Sequence, residues 1–132
     1  MAFYQGPAFN NSPAGQLAGG IVLEGTEVEA LAKFLRVINS IENLNSTIDL
    51  LQRARRAGFA QGRELISIAL AEFDDAFDVL REGHVHKDAR DEILFGTSNA
   101  SSASASSTIT GRNSRIDQAI LRAQRAIGLM KF

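Results

Sequence analysis

The stretch TEVEALAKFLRVINSIENLNSTIDLLQRARRAG, residues 26–58, constrains the fold more than any other, because it carries a helix start signal, a long apolar stripe and a stop signal in one run. Thr26 and Glu29 stand at capping-box spacing, in which each side chain satisfies a backbone N–H that the first helical turn leaves unpaired. Val28, Leu31, Leu35, Ile38, Ile41, Leu44, Ile48 and Leu51 then step by three or four, which sets them on one face of a helix and predicts that this face is buried. Arg53, Arg55 and Arg56 fall in the last turn, where cations complement the helix end, and Gly58 is predicted to close it in the left-handed conformation. Within the run, NSIENLNST at 39–47 concentrates side chains that compete for backbone hydrogen bonds. The sequence therefore leaves open whether 26–58 is one helix or two.

The chain of 132 residues suits one domain, and 45% hydrophobic content suffices for a core. Fourteen Lys and Arg against fifteen Asp and Glu give a net charge of -1, so no general attraction to nucleic acid or to an anionic membrane is expected. The absence of cysteine excludes disulfides, thiol nucleophiles, Cys-ligated zinc and covalent attachment of c-type haem within this sequence. No apolar run approaches the roughly 18 residues a membrane span requires. The opening MAFYQGPAFN has no basic segment followed by an apolar one, so no signal peptide is expected in it.

Residues 1–25 hold both prolines and five of the eleven glycines, which predicts an irregular, extended arm. Its apolar side chains suit a groove, either on its own bundle, which is the simpler reading, or on another protein, for which Phe3, Tyr4, Phe9, Leu17 and Ile21 are the candidate partner-binding residues. A turn at 59–62 should lead into a central helix at 63–83, whose wide apolar face comprises Leu65, Ile66, Ala69, Leu70, Phe73, Ala76, Phe77 and Leu80 before Gly83 stops it. After His84 and His86 a short helix is expected over 87–95. The Ser/Ala-rich stretch at 97–110 reads as a flexible loop without core contacts, and deleting Ser101 to Ser107 as nearly neutral. Ser114 and Asp117 cap a last helix, 114–130, with Ile116, Ile120, Ala123, Ile127 and Met130 on one face. The expected fold class is all-α: an irregular arm at 1–25 followed by a bundle of about four helices at 26–132.

Asp74, Asp75 and Asp78 with nearby His84 and His86 are of metal-ligating types, but the Glu-x-x-His pairs of a bundle di-metal site are missing, and a solvated acidic edge is the simpler reading. Arg53, Arg55, Arg56 and Arg63 offer an anion or acidic-partner site, set against ordinary helix-end cations. No Gly-x-Ser-x-Gly turn accompanies the many serines, and no phosphate-binding Gly-rich loop is present. No catalytic, cofactor-binding or metal residue is assigned, and the chain alone is not expected to be an enzyme.

FYQGPAFNNSPAG, followed by LEGTEVEALAKFLRVIN, resembles the segment after the C-terminal haem of bacterial di-haem cytochrome c peroxidase-like proteins. The resemblance covers residues 3–39, and the haem-attachment motif Cys-x-x-Cys-His is absent. It implies a periplasmic setting, with haem c in a partner or parent chain, and a helical domain that docks on a cytochrome or assists its assembly. The other reading from the residues is an independent all-α adaptor that forms homo-oligomers through its apolar arm and helix faces.

Overall fold

The computed structural model describes residues 25–131, and the chain divides into two compact units, Met1–Leu35 and Arg36–Phe132. Among the described residues there are four helices and no strand: α1 (Gly25–Arg55), α2 (Phe59–Glu82), α3 (Lys87–Ser104) and α4 (Ile109–Leu129). The arm residues Phe3, Tyr4, Phe9, Leu17 and Ile21 lie outside the described residues.

α1 is one continuous helix through 39–47, and the reason lies in how its polar residues are used. Its principal buried seam is Val37, Ser40, Leu44, Thr47, Leu51 and Ala54. Ser40 and Thr47, which in isolation disfavour a helix, are here core-facing. Ser40 Oγ donates across to the Ala76 carbonyl at 2.9 Å, and Thr47 Oγ1 donates to the Asn43 carbonyl of its own helix at 2.9 Å. Burial thus overlaps the predicted stripe at Leu44 and Leu51 but is rotated from it elsewhere: Leu35 is exposed, and Ile38, Ile41 and Ile48 flank the seam. Thr26 already lies inside the helix.

The remaining buried positions obey one rule. In α2 they are Gly62, Ile66, Ala69, Phe73, Ala76 and Leu80; in α3 Ala89, Ile93, Gly96, Ala100 and Ala103; in α4 Arg112, Ile116, Ala119, Ala123, Ala126 and, just past its end, Met130. Every step alternates four and three, the 3.5-residue spacing that keeps a seam facing its neighbours in coiled-coil-like packing. Hydrogen bonds fix the register within the second unit. Arg36 meets Val79 and Glu82, Ser40 meets Ala76, Arg63 meets Ser104, Glu92 meets Arg122, and Arg55 meets Asp117. Each pair joins helices running in opposite directions, so residues 36–131 form an up-down-up-down bundle.

Several boundaries differ from expectation. Phe59 to Gly62 belong to α2 rather than to the preceding turn. The Ser/Ala-rich stretch expected as a flexible loop at 97–110 is helical as far as Ser104 and again from Ile109. Ala100 and Ala103 occupy the seam while Ser98, Ser101 and Ser102 face outward, so small size serves close packing instead of excluding the stretch from the core. α3 and α4 share the most extensive close backbone approach among the described helices, as alanine on both and Gly96 on α3 permit. Deleting Ser101 to Ser107 would remove the last turn of α3 together with Ala103. Ser101→Pro is a sharper test: inside a helix it should cost about 3 kcal/mol. An unchanged denaturation midpoint would return this stretch to a loop.

The last helix begins five residues before the expected 114. Thr108, with extended backbone, is its cap, and its Oγ1 accepts from the Gly111 N–H at 3.0 Å.

Candidate functional site

Much of the polar chemistry of the bundle gathers at the helix ends, where arginines from neighbouring helices meet backbone carbonyls of the terminal turns and of the α1–α2 connection. Arg112 is the strongest case, 1% exposed although it carries a full charge. Its guanidinium donates to the Ala57 carbonyl at 2.9 Å, the Gly58 carbonyl at 3.1 Å and the Arg55 carbonyl at 3.4 Å. It also donates to Asn113 Oδ1 at 3.1 and 3.2 Å, and it lies 5.8 Å from the centre of the Phe59 ring. The negative end of α1 is the counter-charge. Gly62 leaves the necessary space, since a Cβ there would sit 2.5 Å from one Arg112 nitrogen.

Gly58 was expected to close α1 by a left-handed turn. Its φ of -69° is on the ordinary side; the Arg56 and Ala57 N–H groups bond back to the Arg53 and Ala54 carbonyls, and Arg112 takes the Arg55 and Ala57 carbonyls beyond them. The same device recurs. Arg63 Nε donates to the Ser104 carbonyl at the end of α3, and Arg36 donates to the Val79 carbonyl near the end of α2. A Cβ at Gly83 would approach Arg36 Cδ to 2.6 Å. Glycine there provides room rather than a special φ.

The left-handed residues of the α2–α3 turn are His84, φ 54°, and His86, φ 51°. The His84 N–H bonds to the Arg81 carbonyl and the Val85 N–H to the Leu80 carbonyl, each at 3.1 Å, which is the Schellman arrangement with histidine where glycine usually stands. Relief of left-handed strain, less the extra chain entropy of glycine, predicts that His84→Gly stabilises the fold by about 0.5–1 kcal/mol. A lower melting temperature would show that the imidazole makes a stabilising contact.

The sequence-level candidates are now placed. Asp74 and Asp75 are exposed on α2, Asp78 pairs with Arg81 at 3.2 Å, and His84 and His86 are exposed in the turn. Among the described residues no group of three or more His, Asp or Glu side chains is disposed to hold a metal ion. Asp75 and Asp78 instead share an open groove of about 450 Å³ with Asn39, Glu42, Asn43, Val79 and Glu82. The arginines around the α1–α2 turn do not form one cluster. Arg53 pairs with Asp49 at 3.6 Å, Arg63 is engaged with Ser104, and Arg55 makes a two-pronged contact with Asp117 at 2.8 and 3.2 Å. The hydrogen bond that Arg55 donates to Asp117, together with the charge of that carboxylate, raises the Arg55 pKa above its ordinary value, and the pair is half exposed. Sequence reasoning missed Arg112. Its signal was a cation at a four-three seam position, one step before Ile116.

On the α3–α4 side Arg122 reaches both oxygens of Glu92, at 3.1 and 3.4 Å, and lies 4.9 Å from the centre of the exposed Phe95 ring. Its Nε is buried without a hydrogen-bond partner. No described helix is long and apolar enough to cross a membrane. No family model, curated protein or solved structure matches this chain.

Proposed function

We propose that this chain is a non-catalytic helical domain that works by assembly, holding a protein partner through its N-terminal third. A di-haem cytochrome c peroxidase-like redox protein, as partner or parent chain, is the partner class that the sequence resemblance of residues 3–39 supports. On this reading the setting is periplasmic and haem c belongs to the cytochrome, with Phe3, Tyr4, Phe9, Leu17 and Ile21 as the docking side chains. One structural observation carries the non-catalytic part. The buried polar side chains Ser40, Thr47 and Arg112 direct their hydrogen bonds to backbone carbonyls, with Asn113 the added partner of Arg112. These three interior side chains are thereby committed to holding the fold.

The test is a visible absorption spectrum and intact mass of material purified from its native source under mild conditions. A Soret band co-eluting with this polypeptide is expected, lost when Phe3, Tyr4 and Phe9 are replaced by Ala while the melting temperature stays within a degree or two. A colourless species overturns the cytochrome association, and a sedimentation mass above one chain would then favour the self-assembling adaptor.

A further inference from the structure

We draw no further inference here: the strongest candidate, the acidic groove between α1 and α2 lined by Glu42, Asp75, Asp78 and Glu82, is a carboxylate cluster in which Asp78 and Glu82 already pair with Arg81 and Arg36, and nothing in the structure points to a ligand for it.

Discussion

Arg112→Met is expected to destabilise the bundle by about 2–4 kcal/mol, the combined cost of buried carbonyls left without a donor at about 1–3 kcal/mol each. Methionine roughly conserves the apolar stem, so the loss reports mainly on the guanidinium. Its removal strands the Ala57 carbonyl, bonded at 2.9 Å in the native state, and loosens the 3.4 Å contact to the Arg55 carbonyl, whereas the Gly58 carbonyl keeps the Gly62 N–H at 2.8 Å. Arg112→Lys should recover only part of this, because an ammonium group on a flexible stem cannot span three carbonyls as a planar fork does. Gly62 supplies an internal control. Gly62→Ala alone should be destabilising, since its Cβ would stand 2.5 Å from an Arg112 nitrogen. In the Arg112→Met background the same change should be neutral or favourable, as alanine is the better helix former by about 0.5–1 kcal/mol. Urea midpoints for the four proteins measure the coupling. Additive effects, or an Arg112→Met variant within about 1 kcal/mol of the parent, would mean that water satisfies the α1 carbonyls equally well.

What the sequence revealed, and what it concealed, follows from which side chains advertise their role. α2 was legible because Ile66, Phe73 and Leu80 are large and recur at helical spacing. They are fully buried, as the wide apolar face implied. Four helical segments in an all-α fold were legible for the same reason. α3 was read short because its later seam consists of Gly96, Ala100 and Ala103, residues whose contribution depends on how closely another helix approaches. No single-chain hydropathy pattern contains that distance. α1 is legible only in part: Leu44 and Leu51 sit in the seam as the stripe implies, but Ile38, Ile41 and Ile48 fall on a flank, while Ser40 and Thr47 take the seam with their hydroxyls satisfied. Arg112 was hidden because an arginine near a helix start looks like surface charge until the carbonyls of another helix end are placed beside it.

Phe73→Ala should cost about 3–5 kcal/mol, a comparably large loss, and the argument turns on Gly96. The Phe73 ring is fully buried in the α2 seam, and the absence of a side chain at Gly96 gives its edge room on α3. A Cβ at position 96 would lie 2.7 Å from Phe73 Cζ and 2.8 Å from Cε1, with Arg122 Cβ at 3.4 Å on the α4 side. A rigid ring packed on all sides cannot give way as the tip of a surface side chain would. Gly96→Ala should therefore cost about 1–3 kcal/mol by overpacking, against which alanine's helix propensity returns at most about 1 kcal/mol. Pairing it with Phe73→Leu trades the lost ring volume for the added methyl. The double variant should melt above the sum of the two single losses by at least about 1 kcal/mol of coupling. Strict additivity would mean that α3 shifts freely away from α2, and the close helix approach would then be a passive result of small side chains. Positive coupling would make Phe73 and Gly96 one packing unit, with the alanine seam of α3 holding its distance from both neighbouring helices.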